Sequence, residues 1–131
     1  MNVDRIKETC IYVTDLQATK EFYAGKLGFP VISLVEGRHV FFRAGQSVLL
    51  CFVAEKTMMD AELPPHGAKG SVHLAFEAAT EAYNESLALI TNAGIEVLHQ
   101  HVWPNKRRSF YFHDPDKNLL EIIEEGLWEE N

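Results

Sequence analysis

The stretch RSFYFHDPDKNLLEIIE, residues 108–124, decides the fold of this chain. Residues 109–113 alternate around aromatic side chains, as a half-buried β-strand does. Residues 114–118 have turn chemistry, because Pro presets φ while Asp and Asn bond to their own backbone. Residues 119–124 return as a second apolar strand. The stretch therefore predicts a β-hairpin.

One residue of the hairpin does not fit an apolar strand. Glu121 lies between Leu120 and Ile122. Strand alternation places it on the same face as Leu119 and Ile123. Burying an unpaired carboxylate costs several kcal/mol. This carboxylate therefore needs a structural or functional reason.

The hairpin pattern also occurs 70 positions earlier, in residues 38–52 (RHVFFRAGQSVLLCF). In this ungapped comparison Phe41 corresponds to Tyr111, and Cys51 corresponds to Glu121. Upstream, residues 8–11 (ETCI) match residues 73–76 (HLAF), and a helical pattern follows each. The chain therefore reads as an internal repeat of strand, helix and three strands, at 6–53 and 71–124, with a linker at 54–70.

These motifs resemble the vicinal oxygen chelate superfamily over nearly the whole chain. The resemblance is carried by YVTDL at 12–16, FY at 22–23, LGF at 27–29, FYFHDPD at 110–116 and NLLE at 118–121. That superfamily includes glyoxalase I, extradiol dioxygenases, methylmalonyl-CoA epimerase, fosfomycin-resistance transferases and bleomycin-binding proteins. The resemblance implies an α+β fold, in which two βαβββ modules form a curved, cup-shaped mixed sheet. It implies the fold more strongly than the reaction.

Length and composition are typical of one small, reduced protein. With 131 residues and 47% hydrophobic content, we expect a single domain over 1–131. A net charge of −7 argues against nucleic acid or anionic membranes as partners. We find no secretory signal and no apolar run of membrane-spanning length. Cys10 and Cys51 do not make a disulfide framework, which favours a cytoplasmic location.

Further elements follow from periodicity and from helix-end signals. Asp15 is a plausible N-cap for a first helix that ends at Gly28, and Thr80 is one for a second helix that ends at Gly94. The predicted strands outside the hairpin are 6–13, 30–36, 38–44, 47–53, 71–77 and 95–101.

In the resembled family, divalent-metal ligands come from the first and last strands of each module. The resemblance places them at Glu8, Cys51, His73 and Glu121. Cys51 departs from the glutamate of four-ligand members, which leaves Glu8, His73 and Glu121. Two carboxylates and a neutral imidazole also neutralise a divalent cation. Oxygen-rich ligation favours Mn, Fe, Co or Ni, with Zn possible.

Structural alternatives stay open at this point. Glu121 could pair with Arg108 or Arg43, and His73 could be a satisfied core histidine. We expect Cys10 and Cys51 on the same inner face of adjacent strands. There they would act as small buried hydrophobes, with a thiolate ligand or a redox-formed bridge as the alternatives.

Several residues are candidates for contact with a substrate. Tyr111 resembles the substrate-side tyrosine of fosfomycin-type members, and its phenol could donate to an oxyanion, or it could simply pack. Glu8 or Glu121 could act as a catalytic base. Arg108 could hold an anionic group or pair with a surface acid. The predicted substrate-binding set is His39, Phe41, Cys51, Trp103, Arg108 and Ser109.

The favoured function is a metal-dependent glyoxalase-like enzyme of lyase or isomerase type. Its metal would chelate vicinal oxygens of a small substrate and stabilise an enolate or oxyanion. The resemblance also implies a homodimer. One alternative is a metal-free bleomycin-type binding protein, and another is a fosfomycin-type thiol transferase. An extradiol dioxygenase is less favoured, because its usual triad has two His and one carboxylate. A binding protein would need aromatic walls, for which the candidates are Phe41, Phe42, Trp103, Phe110, Tyr111 and Phe112.

Overall fold

The computed structural model describes residues 1–129. The last two residues of the predicted domain, Glu130 and Asn131, lie outside them. The chain divides into two compact units, Met1–Gly70 and the chain from Ser71 onward. Each unit has a strand, a helical segment and three further strands, which form a four-stranded mixed sheet. The α+β fold with two βαβββ modules is confirmed.

In the first unit the sheet order is β1-β4-β3-β2. Strand β1 runs parallel to β4, and the other pairs are antiparallel. The elements are β1 (Glu8–Tyr12), α1 (Leu16–Lys20) continued by a π-helical segment (Glu21–Lys26), β2 (Val31–Val35), β3 (His39–Ala44), β4 (Ser47–Phe52) and α2 (Ala54–Thr57).

The first helical segment covers one face of this sheet. Its start is fixed by Asp15, whose carboxylate accepts a hydrogen bond from the backbone N–H of Ala18 at 3.0 Å, as predicted. Gly28 follows its end with φ of +79°, in the left-handed region. Tyr23 packs on Phe42 of β3 with ring centroids 5.4 Å apart, and both side chains are buried. We call this side the helix-covered face.

In the second unit the sheet order is β5-β8-β7-β6, again with one parallel pair, β5 with β8. Tyr83 of the helix packs on Phe110 of β7 with ring centroids 5.5 Å apart, which defines the helix-covered face of this unit. The elements are β5 (His73–Ala78), α3 (Thr80–Asn92), β6 (His99–Val102), β7 (Arg108–His113) and β8 (Leu119–Glu124).

Two local predictions for this unit need correction. Thr80 is not the N-cap of α3: Ala79 occupies that position, and the Glu125 carboxylate accepts the hydrogen bond of the Thr80 N–H at 3.0 Å. Glu125, which is distant in sequence, therefore caps the start of α3. Strand β6 begins at His99 rather than at residue 95.

None of the helices within residues 1–129 has both the length and the apolar character that crossing a membrane requires.

The repeat contains a one-residue difference that the ungapped comparison missed. In the first unit four residues, 44–47, lie between the paired residues Arg43 and Val48, and the outer two of them, Ala44 and Ser47, still pair with each other. In the second unit five residues, 114–118, lie between the paired residues His113 and Leu119. The return strand is therefore offset by one further residue, and Glu121 corresponds to Leu50 rather than to Cys51. Because side chains alternate, this shift moves Cys51 to the other face of its sheet.

Candidate functional site

The candidate site of the second unit lies on the sheet face opposite α3. Glu121 of β8 is in register with Ala75 of β5 and with Tyr111 of β7. Tyr111 is in turn in register with His99 of β6. Side chains of directly paired residues share a face, so these residues form one row across the sheet. Alternation adds His73 and Ser109 to the same face.

His73 and Glu121 contact each other on this face. His73 Nε2 lies 3.2 Å from Glu121 Oε1, and His73 Nδ1 lies 2.8 Å from the carbonyl oxygen of Leu119. A carbonyl oxygen can only accept, so Nδ1 carries the proton. In the neutral imidazole Nε2 then carries a lone pair, and this lone pair faces a carboxylate oxygen. The two atoms repel unless a proton or a metal cation lies between them.

Glu121 has the burial expected of a ligand. Its residue is 6% exposed, and its Oε2 atom has no hydrogen-bond partner among residues 1–129. A buried carboxylate oxygen without a partner is costly, and a bound cation removes that cost. The donor set of one imidazole nitrogen and one carboxylate fits a divalent metal.

The same face carries a hydrogen-bonded side-chain series. The indole Nε1–H of Trp103 donates to Ser109 Oγ at 3.0 Å, and Ser109 Oγ donates to Tyr111 Oη at 3.5 Å. Burial raises the pKa of the Tyr111 phenol, the Ser109 hydroxyl lowers it in part, and the Glu121 carboxylate raises it again. The phenol is therefore protonated at neutral pH and can donate a hydrogen bond.

Arg108 lies on the other side of this sheet. Its Nη2 atom is 2.9 Å from Glu124 Oε2, and its guanidinium lies 4.3 Å above the ring centre of Tyr83. The hydrogen bond from Arg108 lowers the pKa of Glu124, which is only 3% exposed. The structure separates Arg108 from Glu121, and it supports the alternative in which the arginine pairs with an acid.

In the first unit, Glu8, Phe41 and His39 share the face opposite the helix, by the registers of β1, β3 and β4. Glu8 is exposed and Phe41 is half-buried. The His39 ring stacks on Phe41 at 3.9 Å, and its Nε2 lies 3.0 Å from Ser33 Oγ. Burial lowers the pKa of His39, and the Arg38 charge adds to that effect. His39 is therefore neutral at pH 7.

The prediction that Cys10 and Cys51 share a face is wrong. Cys51 is in register with Ile11 and Val40, whereas Cys10 is in register with Leu50. Cys51 is 0% exposed, on the helix-covered face, so it presents no surface to a substrate. The cause is the shorter first turn described above.

The metal set itself stays a prediction. Among residues 1–129, no three or more His, Cys, Asp or Glu side chains form a cluster that could hold a metal ion. His73 and Glu121 supply two of the three predicted ligands. Glu8 holds the position in β1 that His73 holds in β5, since each pairs with the matching residue of its return strand, Val48 or Leu119.

Two residues of this region were missed from the sequence. His99 had no assigned role, yet its ring centroid lies 5.9 Å from that of Tyr111. Pairing β6 with β7 in antiparallel register would have shown it. Glu124 is the last residue of the predicted strand 119–124 and had no assigned role either. Its match to Arg108 across the hairpin follows only from the length of the turn.

Comparisons with known proteins agree with this architecture. The sequence model of the Glyoxalase/Bleomycin resistance protein/Dioxygenase superfamily matches residues 5–122. A crystal structure of a lactoylglutathione lyase from Agrobacterium tumefaciens is 34% identical, with a TM-score of 0.92, and the match covers 99% of this chain and 100% of that one.

Two further relatives extend the comparison. A virulence protein of Salmonella typhimurium is 29% identical over 93% of this chain and 85% of its own length. A glyoxalase/bleomycin resistance protein/dioxygenase from Nocardioides is 22% identical with a TM-score of 0.76, over 100% of this chain and 91% of that one, and shares the fold. The chain belongs to the Glyoxalase/Bleomycin resistance protein/Dioxygenase superfamily.

Proposed function

We propose that this chain is a metal-dependent enzyme of lyase or isomerase type that acts on a small substrate with two vicinal oxygens. The observation that carries the proposal is the contact of His73 Nε2 with Glu121 Oε1 at 3.2 Å, which places an imidazole nitrogen and a carboxylate oxygen where one cation can bind both. Membership of the superfamily supports it, as does the similarity to a lactoylglutathione lyase.

Glu8, His73 and Glu121 are the proposed ligands. Glu8 lies in the first unit, exposed on β1, at the repeat position that matches His73. The position that matches Glu121 holds Leu50, which cannot ligate, so the set has three members. Three protein ligands leave coordination positions for a bidentate substrate, and Mn, Fe, Co, Ni or Zn suits this donor set.

The bound metal would act as a Lewis acid on the substrate's two vicinal oxygens. Tyr111 donates a hydrogen bond to the oxygen that gains negative charge, which its raised pKa and its position opposite Glu121 support. Glu121 or Glu8 accepts the proton from the carbon beside the carbonyl. Together these residues stabilise an enolate or another oxyanion.

A metal-free binding protein is the weaker candidate. Three of the six aromatic residues that would line its walls, Phe42, Phe110 and Phe112, are 0% exposed. They lie on the helix-covered faces and pack there against the helices or each other. The other three, Phe41 in the first unit and Trp103 and Tyr111 in the second, are half-buried.

We also propose a cytoplasmic homodimer. Strands β2 and β6 are sheet edges, and each exposes apolar side chains. Exposed apolar edge strands favour association, because they present unpaired backbone groups beside hydrophobic surface. The exposed residues are Val31, Ile32, Leu34, Val35 and Val102. Light scattering after gel filtration measures the mass that decides this point.

Solvent-proton exchange tests the proposed activity. The protein is loaded with Mn²⁺ and incubated in D₂O with vicinal-oxygen compounds, starting with lactoylglutathione, and mass spectrometry follows deuterium at the carbon beside the carbonyl. We expect Glu121→Gln to slow exchange by about 10²- to 10⁴-fold. The control Glu77→Gln changes an exposed glutamate of β5 and retains the rate. Equal exchange in Glu121→Gln and wild type contradicts the proposal.

A further inference from the structure

Trp103, Ser109 and Tyr111 form what we call the indole–hydroxyl chain, defined by the bonds Trp103 Nε1–H to Ser109 Oγ and Ser109 Oγ to Tyr111 Oη. We infer that Trp103 and Ser109 are positioning residues, which fix the Tyr111 hydroxyl as a hydrogen-bond donor toward the Glu121 side of the sheet. This inference rests on the proposed function, because that function gives Tyr111 an oxygen to stabilise. In this role Trp103 and Ser109 act through Tyr111 instead of contacting the substrate themselves.

The direction of the chain follows from which groups can donate. An indole N–H is a donor only, so Ser109 Oγ must accept from Trp103. Ser109 is 0% exposed, and its own hydroxyl hydrogen therefore needs an acceptor inside the protein. Tyr111 Oη, 3.5 Å away, is that acceptor. Distances of this length are common for catalytic hydrogen bonds in ligand-free proteins, which shorten when the ligand binds.

The indole–hydroxyl chain determines the direction of the Tyr111 O–H bond. A phenol oxygen that accepts from Ser109 directs its own hydrogen elsewhere. Because Tyr111 pairs directly with Glu121 across the hairpin, we assign this hydrogen to the Glu121 side of the ring. A rotating phenol would lose orientational entropy on binding a substrate, and a fixed one has already lost it.

A purely structural role is the competing explanation. Trp103 begins the loop between β6 and β7, and this loop has its own backbone bond, from Trp103 N–H to Arg107 O at 2.7 Å. In that case the indole–hydroxyl chain only holds the loop against β7. The two explanations differ in whether a change at Tyr111 reaches Trp103, and in whether Ser109 affects ligand binding.

Nuclear magnetic resonance of the metal-free full chain tests the first difference. The chain has two tryptophans, so Trp128→Phe identifies the indole N–H signal of Trp103. We expect Ser109→Ala to shift that signal upfield and Ser109→Thr to restore it. We expect Tyr111→Phe, which keeps the ring, to shift it too. Tyr83→Phe, on the helix-covered face of the same sheet, leaves it in place. An unmoved signal in Ser109→Ala, or equal spectra for Tyr111→Phe and Tyr83→Phe, overturns the inference.

Calorimetry with acetohydroxamate, a vicinal-oxygen chelator, tests the second difference on Co²⁺-loaded protein. We expect Ser109→Ala, Trp103→Phe and Tyr111→Phe each to weaken binding by about tenfold, the loss of one hydrogen bond. The double variant Ser109→Ala/Tyr111→Phe binds no more weakly than Tyr111→Phe alone, because both changes act through one hydroxyl. A lower melting temperature with unchanged affinity in Ser109→Ala overturns the inference. Absence of acetohydroxamate binding in the wild type contradicts the proposed function instead. In that case the indole N–H signal alone tests the indole–hydroxyl chain.

Discussion

His73 Nε2 lies 3.2 Å from Glu121 Oε1, on the face of the second sheet that α3 does not cover. The two residues are far apart in sequence and meet because β5 runs parallel to β8. The bond from His73 Nδ1 to the Leu119 carbonyl fixes the ring, since Leu119 is the residue with which His73 is in register. The β5–β8 ladder therefore builds and orients the pair.

The ion pair of Arg108 with Glu124 predicts how stability depends on pH. The pKa of Glu124 in the folded state is below its ordinary value of 4.5, because Arg108 hydrogen-bonds the carboxylate. The pair therefore stabilises the fold fully above pH 4.5, and this contribution is lost as the pH falls through the lower folded pKa. We therefore expect the free energy of unfolding of Glu124→Gln to fall less steeply with decreasing pH than that of the wild type. Urea denaturation between roughly pH 3 and 7, the range in which carboxylates titrate, measures this difference.

Arg108→Met tests the same pair from the other side. It leaves the buried Glu124 carboxylate without its partner, which destabilises the protein at pH 7. Because the Arg108 guanidinium is partly exposed and solvent screens its charge, we expect the loss to be limited to roughly 2–3 kcal/mol. Arg43→Met, at an exposed arginine of β3, changes stability little. If Arg43→Met and Arg108→Met are equally destabilising, the pair is not the cause.

The two cysteines are predicted to differ in reactivity. Cys10 is exposed and Cys51 is buried, so iodoacetamide modifies Cys10 first in the native protein, and mass spectrometry identifies the site. Partial burial raises the pKa of Cys10, and the Glu8 carboxylate raises it further. We therefore expect Glu8→Gln to move the pH profile of Cys10 alkylation to lower pH. Asp4→Asn is the control. Modification of Cys51 at the rate of Cys10 would show that the register of β1 with β4 is not as described.

The turn of the second hairpin predicts a large effect for one amide. Asn118 Oδ1 accepts from the backbone N–H of Val72 at 2.9 Å, and Asn118 Nδ2 donates to Asp114 Oδ2 at 2.9 Å. Asn118→Ala removes both hydrogen bonds and costs about 2 kcal/mol in the free energy of unfolding. Lys117→Ala, in the same turn but exposed, costs much less. Equal losses in the two variants would remove the role given to the amide.

Alternation and the repeat were enough to predict the strands and the two longer helical segments, although α2 lies in the predicted linker and β6 begins later than predicted. They were also enough to place Tyr111, Ser109 and Glu121 on one face. They failed where a loop length decided the result. The turn before β8 is one residue longer than its counterpart before β4, so an ungapped comparison matched Glu121 to Cys51. Arg108 was misplaced for the same reason, because its partner Glu124 lies across a hairpin whose register depends on that turn.

Metal content is the measurement that tests the central claim most directly. The protein is purified without a metal-binding tag, dialysed against Mn²⁺, Co²⁺, Ni²⁺ or Zn²⁺, and analysed by mass spectrometry for bound metal. His73→Ala and the control His101→Ala, an exposed histidine of β6, are analysed beside it. We predict about one ion per chain in the wild type and in His101→Ala, and almost none in His73→Ala. No bound ion in the wild type with any of the four metals, or equal content in His73→Ala, would contradict the account.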